Sequence, residues 1–237
     1  QRALVAASLA EGCSMIRQAL ISEDTTHLLE ALRQLGAGID QKENTLTVVG
    51  TNGRPKAPSQ SIAMGNNGTG LRLLTSVAAL CNGTVVIDGT ARMRQRPIQP
   101  LIDALRMLGV EAECLHGNGC PPVRIKAKGI AGGKALLNAQ LSSQFLSSLL
   151  LASPYAADDV TIQLQGPLAS QPYVKITIDV MEAFGVDVLQ PDDNSFLVRA
   201  PQTYAPREYL VEGDASSATY FMAAAAICGG KIRIANI

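Results

Sequence analysis

Ala104-Leu105-Arg106-Met107-Leu108-Gly109-Val110 reads as the last turns of a helix closed by a glycine. The same ending recurs as Ala31-Leu32-Arg33-Gln34-Leu35-Gly36-Ala37 and as Val180-Met181-Glu182-Ala183-Phe184-Gly185-Val186. The three glycines stand 73 and 76 residues apart, each at the C′ position where a helix turns left-handed to stop. A short alternating pattern follows each ending, then a polar turn and another strand, as at Thr45–Val49, Val123–Ala127 and Ser195–Arg199. Upstream of each ending lies an apolar helix: Arg2–Ala10, Gly70–Leu80 before the β run Thr84–Ile87, and Ser142–Ala152 before Val160–Leu164. A leading strand is visible at Ser61–Ala63 and at Ala135–Leu137.

The repeat therefore predicts an α/β (α+β) fold of three βαβαββ units. One such unit cannot bury both its sheet and its helices, so the units must pack around a common pseudo-three-fold axis. Residues 1–211 make one globular domain whose first unit lacks its leading strand. A fourth copy begins in the remainder, with a helix at Ser216–Ile227 and a strand at Lys231–Ile234. Residues 212–237 accordingly read as a hinge and the opening of a second domain, stopped inside a unit.

Composition narrows the ligand. The 237 residues are 47% hydrophobic and only 4% aromatic, so Ala, Leu, Val and Ile must fill the core. Lys plus Arg and Asp plus Glu number 20 each, which argues against nucleic-acid or membrane-surface binding and for a small ligand. The five cysteines are scattered and odd in number, without CxxC spacing, so neither disulfides nor a metal site is indicated and a reducing cytoplasm fits best. Cys13, Cys81 and Cys228 sit in apolar neighbourhoods and are expected in the core. His27 and His116 are assigned to the surface. No run is long and apolar enough to span a membrane, and no targeting segment is read at Gln1.

Polar groups gather at helix entrances. Met64-Gly65-Asn66-Asn67-Gly68-Thr69-Gly70-Leu71-Arg72 places glycines, amides, a hydroxyl and a cation where an apolar helix starts, an arrangement that receives anions. Arg92-Met93-Arg94-Gln95-Arg96-Pro97-Ile98 puts three guanidinium groups before a helix that Pro97 could open. Ser142-Ser143-Gln144 and Ser170-Gln171-Pro172-Tyr173 bring hydroxyls to two further entrances. At a fourth, Glu212-Gly213-Asp214-Ala215-Ser216-Ser217, capping by Asp214 is the favoured role. Three-fold packing would turn several of these entrances to one side, where a small, multiply anionic molecule would bind.

In series, these five motifs closely resemble those of the 5-enolpyruvylshikimate-3-phosphate synthases, over the entire chain. The resemblance implies two similar domains of three βαβαββ units, the inside-out α/β architecture of enolpyruvyl transferases, with a monomer's active site between them. It implies transfer of the enolpyruvyl group of phosphoenolpyruvate to the 5-hydroxyl of shikimate 3-phosphate, without metal or organic cofactor. It assigns Ser142, Ser143 and Ser170 to the shikimate phosphate, Gln144 and Tyr173 to its ring, and Arg2 to its carboxylate. Gly68, Arg92 and Gln144 would line the phosphoenolpyruvate site, which also takes glyphosate, with Asn66, Thr69 and Arg72 shaping the loop. Two departures stand out. Leu73 replaces a proline common in the family, which puts glyphosate response in doubt. The Lys-Ser element before Arg2 and the second domain's catalytic Asp, Lys and Glu are absent, so no catalytic residue is assigned and this chain alone reads as an inactive half-enzyme. Two alternatives are a non-catalytic binding module and the related transferase acting on UDP-N-acetylglucosamine. The latter usually carries a reactive cysteine in its arginine loop, and here no cysteine lies between Cys81 and Cys114.

Overall fold

The computed structural model describes residues 1–237. The first unit runs α1 (Arg2–Leu9), β1 (Cys13–Arg17), α2 (Glu23–Gln34), β2 (Gly38–Lys42) and β3 (Thr45–Val49). The second runs β4 (Ile62–Ala63), α3 (Gly68–Ala79), β5 (Asn82–Asp88), α4 (Gln99–Met107), β6 (Glu111–Cys114) and β7 (Val123–Lys128). The third runs β8 (Gly133–Leu137), α5 (Gln144–Ala152), β9 (Val160–Leu164), α6 (Gln171–Ala183), β10 (Leu189–Asp192) and β11 (Ser195–Val198). β12 (Glu208–Leu210) and α7 (Ala215–Cys228) follow. Gly36, Gly109 and Gly185 take φ values of +97°, +85° and +82°, the left-handed turn that a Cβ would oppose.

Each unit builds the same four-stranded sheet. The orders β4-β5-β7-β6 and β8-β9-β11-β10 begin with a parallel pair and continue antiparallel. In the first unit β12 takes the leading position, parallel to β1 with Met15 opposite Glu208, giving β12-β1-β3-β2. The strand missing at the front of the repeat is thus supplied from beyond its third copy.

The first helix of each unit lies inside and the sheets lie outside. Nearly every residue of α1, α3 and α5 is buried, whereas α2, α4 and α6 bury one face. Small residues let the inner helices approach closely. Buried hydroxyls pair across the helix contacts, Ser76 with Ser148 between α3 and α5 at 2.6 Å and Ser147 with Thr177 between α5 and α6 at 2.7 Å, as burial of polar groups requires.

The two ends of this helical core differ. At the C-terminal end the orphan carbonyls are closed off. Tyr155 donates to the Leu9 carbonyl at 2.6 Å and Tyr204 to the Leu151 carbonyl at 3.0 Å, and the backbone N–H groups of Thr51, Asn52 and Gly53 reach Ser8, Ala10 and Leu9. Burial accordingly pushes the Tyr155 hydroxyl up to about 12. The N-terminal end is open.

Several expectations need correction. The fourth copy forms its helix, α7, which Asp214 caps through Ser216 N at 2.9 Å, yet only Ala218 of it is buried. Lys231–Ile234 is not a strand, because a β segment needs a hydrogen-bonding neighbour. Cys13 and Cys228 are exposed while Cys81 and Cys114 are buried; the alternation of β1 turns Cys13 outward. The helix after the arginine run starts at Gln99 with Pro100 in its first turn, not at Pro97. Arg96 precedes a proline and is extended, at φ −93° and ψ 127°, because the pyrrolidine ring disfavours helical backbone before it.

Candidate functional site

Four helix entrances meet at the open end of the core. Arg2 opens α1, Thr69 lies in the first turn of α3, Ser142, Ser143 and Gln144 lead into α5, and Ser170 and Tyr173 flank the start of α6. Together with Leu141 and Ala169 they line one cleft of about 310 Å³, and no carboxylate lines it. Each entrance presents the positive end of a helix dipole, so the field here favours anions. A larger cavity of about 470 Å³ lies between α1 and α2 and is mostly apolar, with Glu23 and Asp24 as its charged groups. Its chemistry does not suit an anion.

The hydroxyl side of the cleft keeps donors available. Ser143 is buried and caps no N–H of α5. Ser170 precedes α6 in the left-handed region, φ 53° and ψ 52°, also without a side-chain cap bond. Tyr173 is 48% exposed, and its ring lies 5.9 Å from the Arg2 guanidinium carbon. Arg2 donates through Nε to Thr177 Oγ1 at 2.6 Å, and burial lowers its affinity for its proton.

The guanidinium side is tied into the protein. Arg72 is only 7% exposed. It donates to Gln144 Oε1 at 2.6 Å, to the Pro97 carbonyl at 2.9 Å and to Ser142 Oγ at 3.3 Å, and lies 5.0 Å over the Phe145 ring. Burial first, then the neighbouring charge of Arg96, pulls its pKa down to about 10. Gln144 is held at both ends of its amide, since Nε2 donates to Thr69 Oγ1 at 2.8 Å while Oε1 accepts from Arg72. Ser142 accepts from Gln144 N at 3.2 Å as well as from Arg72.

Gly68 is where the glycine loop meets the arginine run. A Cβ there would lie 2.5 Å from Arg96 Cζ, so only glycine lets this guanidinium rest on the start of α3. The family resemblance points to Arg92 for the phosphoenolpyruvate side. Arg92 is exposed at the head of a 3₁₀ turn, Met93–Gln95, with no side-chain hydrogen bond or ion pair, and Arg94 pairs with Asp88 at 2.6 Å. Arg96 was legible in principle, because the residue before Pro97 cannot join the turn that carries the other two.

Two more residues hold the site together, and no sequence motif singles either of them out. Asn67 is fully buried; it accepts from Gly70 N at 2.7 Å and donates to the Asp24 carbonyl at 2.6 Å. It holds the loop more firmly than Asn66, whose side chain accepts from the Thr90 hydroxyl at the surface. Thr177, fully buried one turn beyond Tyr173 in α6, meets both Arg2 and Ser147. No helix is long and apolar enough to cross a membrane, and no group of three or more His, Cys, Asp or Glu is placed to hold a metal ion.

The family model described as EPSP synthase (3-phosphoshikimate 1-carboxyvinyltransferase) matches residues 1–237. The chain is 44% identical over 239 residues to the 3-phosphoshikimate 1-carboxyvinyltransferase of Methanospirillum hungatei, covering 100% of this chain and 55% of that protein. It is 43% identical over 231 residues to the enzyme of the same name from Syntrophobacter fumaroxidans, covering 98% and 55%. A solved EPSP synthase from Acinetobacter baumannii superposes with a TM-score of 0.83 at 29% identity, over 95% of this chain and 50% of that one. The chain thus spans about half the length of the curated relatives it matches.

Proposed function

Since this chain belongs to the EPSP synthase (3-phosphoshikimate 1-carboxyvinyltransferase) family, we propose that the full-length protein transfers the enolpyruvyl group of phosphoenolpyruvate to the 5-hydroxyl of shikimate 3-phosphate, releasing phosphate. Residues 1–211 are the substrate-holding half, and residues 212–237 lead into a second domain of the same polypeptide. The convergence of four helix entrances on a cleft with hydroxyls, an arginine and no carboxylate carries this reading.

Ser143 and Ser170 offer uncommitted hydroxyls, and with the Ser142 hydroxyl and the positive ends of the α5 and α6 dipoles they receive the 3-phosphate. Tyr173 and Gln144 flank the ring. Arg2 turns its terminal nitrogens to the carboxylate, a planar acceptor matched to a guanidinium fork. Phosphoenolpyruvate lies against Gly68 and Arg96, with Gln144 between the two substrates; Arg96 replaces Arg92 in this role because it is the guanidinium in contact with the loop. Addition of the 5-hydroxyl to C2 of phosphoenolpyruvate, with a proton delivered to C3, gives a tetrahedral adduct. Loss of phosphate and of a C3 proton restores the double bond. This half neutralises and orients the anions. The proton-transfer groups lie outside this cleft, which itself offers no carboxylate, histidine or lysine.

Calorimetric titration of the full-length protein with shikimate 3-phosphate, beside a Ser143→Ala, Ser170→Ala double variant, tests the assignment. Saturable binding that the variant loses is the expected result. Equal binding by both would remove the phosphate from this cleft.

A further inference from the structure

Thr177 has one hydroxyl hydrogen and two lone pairs, and all three are committed. Its Oγ1 lies 2.9 Å from the Tyr173 carbonyl, which can only accept. The hydrogen therefore goes there, and the oxygen accepts from Arg2 Nε at 2.6 Å and from Ser147 Oγ at 2.7 Å. The residue is fully buried, so no water can substitute for the side chain. Arg2 makes no hydrogen bond through Nη1 or Nη2, and it lines the cleft. A guanidinium held at Nε cannot rotate about its long axis without losing that bond, so its terminal pair stays aimed.

We infer that Thr177 is a positioning residue: it fixes the Arg2 fork toward the cleft so that its two terminal nitrogens meet a carboxylate of the ligand. The inference rests on the proposed binding of shikimate 3-phosphate and adds a determinant of carboxylate recognition. The same hydroxyl joins α6 to α5 through Ser147 and to α1 through Arg2, so the orientation is set by the packed helices rather than by a loop.

The test uses the full-length protein and two ligands, shikimate 3-phosphate and its carboxylate methyl ester. Thr177→Val keeps the shape and removes the acceptor. The expected result is a loss of about tenfold or more in affinity for the acid, the size of one charge-assisted hydrogen bond, with the ester unchanged and Thr177→Ser restoring the wild-type preference. A purely structural role would weaken both ligands alike, and that outcome, or no loss for either, overturns the inference. If the valine variant does not fold, Thr177→Cys, whose sulfur is only a weak acceptor, is held to the same criteria. Wild-type protein that fails to bind shikimate 3-phosphate sinks the functional reading and this inference with it. Wild-type protein that binds acid and ester equally overturns the carboxylate assignment and this inference, and leaves the functional reading standing.

Discussion

The two sides of the cleft use polar residues in opposite ways. On the hydroxyl side, Ser143 and Ser170 stand at helix entrances without capping anything, so their donors face whatever enters. On the guanidinium side, Arg72 carries a full charge beside the cleft yet is the least available group there, with bonds to Gln144, Pro97 and Ser142. Residue type therefore does not distinguish ligand from frame. Remaining hydrogen-bonding capacity does, and substitutions on the two sides should separate into losses of binding and losses of stability.

The largest effect belongs to the frame. Arg72→Met removes donors from three acceptors that pack around a nearly buried side chain, and should cost about 2–4 kcal/mol of stability together with ligand binding. Arg72→Lys retains the charge but cannot reach the acceptors in a fork, so it should rescue little. Urea unfolding of the full-length variants measures this; midpoints within error of wild type would show that Arg72 is not a frame residue.

Gly68→Ala comes next and works by displacement. The new Cβ meets the Arg96 guanidinium, a flexible end that can move aside, so folding should change by less than about 1 kcal/mol. The KM for phosphoenolpyruvate should rise about tenfold or more as the charge is displaced, while affinity for shikimate 3-phosphate holds. Steady-state kinetics with each substrate varied in turn would reveal an equal rise in both KM values, which would break the division between the two sides.

Ser143→Ala should act on binding alone. Its hydroxyl has no partner in the chain, so deletion should leave stability within about 0.5 kcal/mol and weaken shikimate 3-phosphate by about 1.5–3 kcal/mol, the value of a hydrogen bond to a charged group. Thermal melts and calorimetry on one preparation give both numbers. A stability loss matching the affinity loss would make Ser143 a frame residue like Arg72.

Most of the fold was legible because the repeat is local. Gly36, Gly109 and Gly185 announce helix ends through backbone conformation, and the βαβαββ order follows from spacing. What failed depended on neighbours. Lys231–Ile234 has the composition of a strand and no sheet to join, and α7 has the apolar character of α5 without its burial. The leading strand of the first unit could not be read at all, since β12 returns to β1 from about 190 residues downstream. At the site the helix entrances were legible, but their convergence was only a consequence of the expected symmetry. Thr177 was invisible, being one hydroxyl on the buried face of an amphipathic helix, whose importance lies in a contact with Arg2, 175 residues away in sequence.

The smallest effect is predicted where the sequence alone pointed to a large one. Three arginines within five residues look equivalent, and motif matching selected the first. The structure gives each a different environment: Arg92 is exposed and unpartnered, Arg94 is engaged by Asp88, and Arg96, forced extended by Pro97, rests on Gly68. Arg92→Ala should therefore change the KM for phosphoenolpyruvate by less than about twofold, as a surface substitution does. Arg96→Ala should match or exceed the tenfold rise expected of Gly68→Ala. Because the two variants remove the same charge four residues apart in sequence, general electrostatics cannot explain a difference between them. The reverse order would return the phosphoenolpyruvate role to Arg92 and leave the contact at Gly68 without a function.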